Sequence, residues 1–148
     1  MDAVDRRIVA LLQANAQLGY QELGEAVGLS SAAAYQRVRK LEAAGVVTGY
    51  HARVDAAALG RGVVAFLRVQ PGPRTDLKRL IEVWTQADDV LECHRVTGGA
   101  SYLLKLRLGT TQDLGPHLDA ARKLGCEATA ELGLGCVFEG WTLPVARR

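Results

Sequence analysis

Several features are scarce in this 148-residue sequence, and most of these scarcities narrow the class of protein. Aromatic residues make up only 5% of the chain. No apolar run approaches the roughly 20 residues that span a bilayer. Residues 1–7 mix acids with bases and lead into no apolar core of a signal peptide, so we expect a cytoplasmic protein. The net charge of +2 is too small to indicate nucleic-acid binding by itself, so any such argument depends on where the charge lies.

Metal-site patterns are absent from the sequence as well. The three cysteines, Cys93, Cys126 and Cys136, show no CxxC spacing and no histidine at zinc-site distance. None of the three histidines has a partner three or four residues along a helix. We therefore predict no metal site, and we expect the cysteines to be small buried apolar residues.

Hydrophobic residues make up 49% of the chain and charged residues 23%, which is enough apolar material for a real core. The pattern changes near residue 60, from short helices with turns to alternating strands and helices. We therefore predict a winged helix-turn-helix domain over residues 1–54, a linker over 55–61, and a second domain over 62–148.

The first domain contains two short helices joined by a tight turn. We place one helix at about residues 20–27 and the next at about 31–44, with Gly28-Leu29-Ser30 between them. Ser30 is a typical N-cap, and Gly45 suits the end of a helix. Residues 46–47 and 50–54 then predict two short strands, which would form a wing hairpin.

The second of these helices concentrates positive charge. Residues 30–41 hold three bases and no acid, while Ala34, Val38 and Leu41 form the inward stripe. Lys and Arg bind phosphates, and Gln and Arg can make paired hydrogen bonds to base edges. An ordinary surface helix with three bases is the alternative at this point. The candidate DNA-binding residues are Ser31, Ala32, Tyr35, Gln36, Arg37, Arg39 and Lys40.

The second domain has the order strand, helix, strand, strand, helix, strand. The predicted strands are residues 62–69, 90–97, 102–108 and 129–138, and the predicted helices are 77–84 and 114 to about 125. One helix carries the stripe Leu77, Leu80, Ile81 and Trp84, and the last strand has Leu132, Leu134, Cys136 and Phe138 on one face. This βαββαβ order favours an α+β, ferredoxin-like fold.

Both helices of such a fold cover one face of the sheet and leave the other face bare. That face would hold Val64, Phe66, Leu103 and Gly133 together with Arg68, Lys105, Arg107 and Glu131. It is apolar enough to favour a second copy of the chain, which predicts a sheet-to-sheet dimer. Coverage by the chain's own termini is the alternative.

Ordered segments along nearly the whole chain resemble one family. They are Asp5–Ile8, Glu22–Gly24, Val27–Ser30, Arg37–Glu42, Gly45–Tyr50, Leu59–Gly60, Val96–Gly98 and Tyr102–Lys105. Together they resemble the Lrp/AsnC family of bacterial and archaeal regulators, the feast/famine proteins. The resemblance implies an N-terminal winged helix-turn-helix and a C-terminal ligand-sensing βαββαβ domain. It also implies dimers, often assembled into octamers, that bind double-stranded promoter DNA and respond to a small molecule, usually an amino acid.

The turn before the third strand departs from the family pattern. Family members usually carry two acidic residues there, but this chain has Gly99 and Ser101 at those positions. The loop lies at the family's effector site, so a different effector, no effector, or an amino acid bound with weaker specificity all stay open. Glu131 replaces a frequent family threonine and could bind an ammonium group, or it could pair with Lys105 or Arg107. The candidate effector residues are Gly98, Gly99, Ala100, Ser101, Tyr102 and Glu131.

The basic helix and the family resemblance together predict a sequence-specific DNA-binding transcriptional regulator. The resemblance implies that it responds to a small molecule, with an amino acid favoured. We expect no catalytic residues and no cofactor other than this effector. One alternative is an architectural DNA-binding protein without an effector. The other is an enzyme that resembles tetrapyrrole decarboxylases, to which only the run Cys93-His94-Arg95 points.

Overall fold

The computed structural model describes residues 1–145, which form two compact units. The first unit contains residues 1–53 together with residues 138–145, and the second contains residues 54–137. Within the described residues, no helix is long and apolar enough to cross a membrane.

Three helices build the first unit: α1 (Ala3–Ala14), α2 (Tyr20–Val27) and α3 (Ser31–Ala43). Reciprocal hydrogen bonds between the backbones and carboxylates of Asp2 and Asp5 cap the start of α1. The Ser30 hydroxyl accepts a hydrogen bond of 3.2 Å from the Ala33 N–H, which confirms the predicted N-cap of α3. The helix-turn-helix therefore follows from local capping signals.

The three helices pack around one small core. Its buried residues are Ile8, Leu12, Leu23, Ala34, Val38 and Leu41. The inward stripe predicted for α3 is confirmed. Gly24 lies where α2 meets the following turn, and a Cβ added there would come within 2.6 Å of the Leu29 carbonyl oxygen. The close packing of this turn therefore depends on the absence of a side chain at Gly24.

The predicted wing hairpin is wrong, because no described residue between α3 and residue 63 lies in a strand. The reason lies at the end of α3, where Gly45 has a φ of 66°. The N–H groups of both Val46 and Val47 donate to the Leu41 carbonyl, at 2.9 and 3.3 Å. These donors terminate the helix and are not available for a hairpin ladder.

Residues 138–145 pack with the first unit, whereas the sequence assigned them to the second domain. The Gln13 side-chain amide donates to the Leu143 carbonyl at 3.1 Å and accepts from the Leu143 N–H at 2.6 Å. The Arg53 guanidinium also lies 5.6 Å from the ring centroid of Trp141. These long-range contacts, which join residues up to 130 positions apart, explain the difference.

The second unit has the predicted βαββαβ order. Its elements are β1 (Val63–Pro71), α4 (Leu77–Thr85), β2 (Val90–Arg95), β3 (Tyr102–Leu108), a short 3-10 turn (Thr111–Asp113), α5 (Leu114–Lys123) and β4 (Cys126–Gly133). The strands form one antiparallel sheet in the order β2-β3-β1-β4. The two central strands, β1 and β3, alternate between the face that packs on the helices and the opposite, outer face.

The core of the second unit lies between the inner sheet face and the helices. Its buried residues are Ala65, Leu67, Val69, Leu80, Trp84, Leu104, Leu106, Leu108, Leu114, Ala121 and Cys126. In α4 only Leu80 and Trp84 of the predicted stripe are buried, while Leu77 and Ile81 are each 46% exposed. The buried stripe of α4 is therefore narrower than its sequence period suggests.

The last strand is shorter than predicted. It ends at Gly133, which pairs with Val64 near the beginning of β1, so its partner offers almost no residue for further pairing. Beyond it, Leu134 and Phe138 are largely exposed. Cys136 and Cys93 are exposed as well, so the expectation of buried cysteines is correct for Cys126 alone.

Gly24→Ala tests the close packing of the helix-turn-helix. Because the new methyl group would press on the Leu29 carbonyl, we expect a loss of about 1–3 kcal/mol in the free energy of unfolding. Chemical denaturation measures it. Gly19→Ser in the same unit is the control, since its Cβ would meet only the Glu22 carboxylate at an ordinary 3.6 Å. Equal stability of Gly24→Ala and the wild type would contradict the packing described.

Candidate functional site

The outward face of α3 presents most of the predicted DNA-binding residues to solvent. The exposed members are Ser31, Ala32, Tyr35, Gln36, Arg39 and Lys40. The Tyr35 ring packs edge-on against Tyr20 of α2, with ring centroids 5.1 Å apart and an interplanar angle of 84°. The sequence analysis did not include Tyr20 in this face. Its position at the start of α2 is where α2 and α3 come close.

Arg37 differs from the other bases because its guanidinium turns toward α1. Its Nη1 donates to Asp2 at 2.6 Å and to Asp5 at 2.7 Å. These hydrogen bonds, with the Asp2 carboxylate first, raise the pKa of Arg37. Arg37 therefore links α3 to the start of α1. It does not lie on the exposed face with the other candidates.

Arg39 has an intramolecular partner one turn along α3. Its Nη1 donates to the Glu42 carboxylate at 2.7 Å, and the Tyr50 hydroxyl donates to the other Glu42 oxygen at 3.0 Å. Burial, followed by the hydrogen bond with Glu42, raises the pKa of Tyr50 to about 12. Lys40 is exposed and forms no ion pair with the part of the chain that the structure describes.

A cleft of about 230 Å³ opens on the second unit, beside the loop that follows β2. It is lined by Arg68, Gln70, Gly99, Ala100, Glu127 and Thr129. Arg68 and Gln70 lie on the outer face of β1, directly opposite Thr129 and Glu127 of β4. The cleft thus combines one cation, one carboxylate, an amide, a hydroxyl and the backbone of a glycine-containing loop.

The structure brings only part of the predicted effector set to this cleft. Gly99 and Ala100 line it, and the Ser101 hydroxyl donates to Gln70 at 3.1 Å. Gly98, with a φ of 107°, turns the loop. Tyr102 is placed elsewhere, because its register on β3 directs its ring to the helix layer, 5.4 Å from that of Trp84.

Glu131 lies one step along the outer face of β4 and forms an ion pair of 2.9 Å with Arg68. The expected alternative partners were Lys105 and Arg107, so this pairing is a correction. Strand register explains it, because Glu131 lies opposite Phe66, one outward position from Arg68 on the adjacent strand β1. Lys105 instead contacts Glu92 of β2 at 3.1 Å.

Gln70 and Glu127 are cleft residues that the sequence analysis missed. The signal was present in the two-residue alternation, which places Arg68 and Gln70 on the same face as Glu127, Thr129 and Glu131. Register alone brings the two strands together, and it could not be read from the sequence. Among residues 1–145, no cluster of His, Cys, Asp or Glu could hold a metal ion.

Two family models match this chain. The AsnC-type helix-turn-helix domain matches residues 1–42, and the Lrp/AsnC ligand binding domain matches residues 63–122. The chain is also 39% identical over 129 residues to the uncharacterized HTH-type transcriptional regulator YezC of Bacillus subtilis, covering 87% of this chain and 91% of that protein. The chain belongs to the Lrp/AsnC family. The resemblance read from the sequence is thereby confirmed, and the protein is a transcriptional regulator and not an enzyme.

Solved structures agree with this assignment. The complex of the transcriptional regulator NMB0573 with L-Met, from Neisseria meningitidis, has a TM-score of 0.88 and 27% identity, covering 98% of this chain and 97% of that one. The feast or famine regulatory protein Rv3291c of Mycobacterium tuberculosis, complexed with L-methionine, has a TM-score of 0.84 and 30% identity, covering 96% and 97%. The fold prediction, a helix-turn-helix followed by an α+β domain, is confirmed.

Acid should weaken the tie between α3 and α1. Hydrogen bonding to the Asp2 backbone N–H, and then to Arg37, lowers the pKa of Asp5 in the folded chain. A lowered folded-state pKa means that this stabilisation is present above the ordinary carboxyl range and is lost as the pH falls through the lowered value. We expect the melting temperature to fall as the pH drops below about 4.

Arg37→Gln is the variant that tests this tie. It should melt at a lower temperature than the wild type at pH 7. Its melting temperature should fall less on acidification, because the Arg37 contact that helps to lower the pKa of Asp5 is already removed. Circular dichroism at pH 7 and pH 3 measures both quantities. Arg79→Gln, which removes an exposed ion pair with Glu82 on α4, is the matched control. An Arg37→Gln protein with wild-type stability at both pH values would contradict the tie.

Proposed function

We propose that the exposed face of α3 reads double-stranded DNA and that a free amino acid in the cleft of the second unit alters this binding. The proposed DNA-reading role rests on the burial of Ala34, Val38 and Leu41. Their burial leaves Tyr35 and Gln36 facing solvent along the length of the helix. A helix presented in this way fits the major groove.

The side chains on this face divide into two kinds of contact. Lys40 and Arg39 bind phosphates, which gives affinity for any sequence. Gln36 and Tyr35 contact base edges, with small residues at Ser31 and Ala32 allowing close approach. Arg37 does not contact DNA in this arrangement but stabilises the position of α3, because its guanidinium holds α3 against α1. The regulator acts where the chromosome is, in the cytoplasm.

A second copy of the chain is the partner proposed for the outer face of the sheet. In the single chain, Val64, Phe66 and Leu103 are only half-buried there, and the neighbouring Arg68 and Glu131 already form an ion pair. An apolar face with its charges paired is suited to a symmetric dimer. Two α3 helices would then enter successive major grooves, so the operator should be roughly palindromic. Such dimers would join further into octamers, as the family resemblance implies.

Lys40→Ala and Gln36→Ala separate the two kinds of DNA contact. Lys40→Ala should weaken binding to all sequences and reduce the magnitude of the salt slope by about one unit, since one phosphate contact is lost. Gln36→Ala should instead relax sequence preference, at a cost of about 1–3 kcal/mol on the preferred site. Fluorescence anisotropy with the protein's own upstream DNA and a random duplex, at several salt concentrations, measures both. Unchanged affinity and slope in Lys40→Ala would contradict this placement of the helix.

The cleft has partners for both charged groups of an amino acid. The Nε of Arg68 donates to Glu131, and its Nη groups offer donors for the ligand carboxylate. Glu127 is an acid for the ammonium group. Gly99 and Thr129 add a backbone N–H and a hydroxyl close by. Two structural relatives are complexed with L-methionine, which supports this class of ligand. The acids missing from the loop at Gly99 and Ser101 are thus replaced, in this proposal, by Glu127 on the neighbouring strand β4.

Glu127→Gln tests the amino-acid site. Loss of a charge-assisted hydrogen bond to the ammonium group should weaken binding of L-methionine, or of another amino acid that binds, about 10- to 100-fold. Isothermal titration with a panel of amino acids measures it. The control is Glu82→Gln, which removes an acid of α4 that does not line the cleft.

Gel shifts and light scattering on the same samples report whether the ligand changes DNA binding or assembly. A ligand-dependent change supports a regulator with an effector. DNA binding without a response to any amino acid would contradict the effector half of the proposal. It would favour an architectural protein, the alternative suggested by the loss of both loop acids.

A further inference from the structure

Glu42 links two side chains, those of Arg39 and Tyr50, at the end of the proposed DNA-reading helix. One carboxylate oxygen accepts from Arg39 at 2.7 Å and the other accepts from the Tyr50 hydroxyl at 3.0 Å. The Glu42 side chain is only 23% exposed, whereas the Arg39 side chain is 61% exposed. The carboxylate is therefore the fixed member of this ion pair, and the guanidinium is the member that can leave.

The Tyr50 hydroxyl keeps the carboxylate in place. A tyrosine phenol is protonated at neutral pH, so the Tyr50 hydroxyl donates to the Glu42 carboxylate across 3.0 Å. To the Arg39 guanidinium, a fixed carboxylate offers the same chemistry as a backbone phosphate, namely an anionic oxygen that accepts a charge-assisted hydrogen bond. Arg39 therefore already holds an anion before any DNA arrives.

We propose that Glu42 is a built-in competitor of the DNA backbone for Arg39, and that it holds down the affinity of each α3 for DNA of any sequence. This inference rests on the proposed role of Arg39 at a phosphate. On binding, the guanidinium exchanges the Glu42 carboxylate for a phosphate oxygen. Arg39 therefore adds to the DNA affinity only the difference between its interaction with phosphate and its interaction with Glu42.

The other two bases of α3 show that this competition is specific to Arg39. Arg37 is held by Asp2 and Asp5 on the side that faces α1, where the guanidinium stabilises the fold. Lys40 forms no ion pair with any residue that the structure describes, so its contact with phosphate needs no exchange. Of the three bases, Arg39 alone is both exposed and occupied by an acid of its own helix.

Glu42→Gln in the full chain is the direct test. The amide oxygen still accepts from Tyr50, but the competing charge is gone. We expect the variant to bind a random-sequence duplex about two- to fivefold more tightly at low salt, the fold-change for loss of an exposed ion pair. Fluorescence anisotropy measures it. Glu25→Gln on α2 is the matched control, because it removes the same charge from the same unit, where Glu25 accepts from the neutral Gln21 amide. Its gain should be clearly smaller.

A double-mutant cycle with Arg39→Ala separates this inference from the proposal beneath it. Arg39→Ala alone should weaken binding, and an unchanged affinity would remove the proposed phosphate contact and the competitor with it. If Arg39→Ala weakens binding, Glu42→Gln should give no further gain in that background. The competitor role of Glu42 would be contradicted if the gain persists without Arg39. It would also be contradicted if the Glu42→Gln protein binds no more tightly than the wild type. Neither result would contradict the phosphate contact of Arg39.

Melting curves show whether the Glu42→Gln protein is folded. If it is not, Tyr50→Phe takes its place, since it removes the hydroxyl that fixes the carboxylate and keeps the charge. Its gain in DNA affinity should be smaller, and it should again disappear in the Arg39→Ala background. Weaker binding by Tyr50→Phe would show that Glu42 orients Arg39 for DNA, which would contradict competition.

Discussion

The burial of one stripe on α3 is the constraint on which the proposed DNA-reading face depends. With Ala34, Val38 and Leu41 packed against α1 and α2, the rotation of the helix about its axis is set. The side chains at Tyr35 and Gln36 must then point outward. Arg37, on the flank of this stripe, adds a polar tie to α1. The hydrophobic effect thus determines which side chains α3 exposes for the proposed DNA contact, and in our proposal ion pairs adjust the strength of that contact.

The second unit uses the two-residue period of its strands in the same way. Along β1, Leu67 and Val69 enter the core while Arg68 and Gln70 face outward. The antiparallel register with β4 then brings Glu127 opposite Gln70, so core packing places the charged groups of the cleft. Core and cleft are opposite faces of one sheet, and a change in register would destroy both together.

Local patterns were sufficient to predict the helices of the first unit and the βαββαβ order of the second. Local patterns could not predict the features that depend on long-range contacts. The Arg37 carboxylate partners lie 35 and 32 residues away, and register between distant strands brings Glu127 to the cleft. The wing hairpin failed for a different reason, because the Leu41 carbonyl takes the N–H groups of both Val46 and Val47. Backbone hydrogen bonds at a helix end thus overrode a strand-like composition.

The measurement that tests this account most directly is an experimental structure of the chain bound to its own upstream DNA. The account predicts α3 in the major groove, with Gln36 and Tyr35 at base edges, Lys40 at a phosphate, and Arg37 still bonded to Asp2 and Asp5. A complex in which α3 lies outside the groove, or in which Arg37 leaves its two carboxylates to contact DNA, would contradict it.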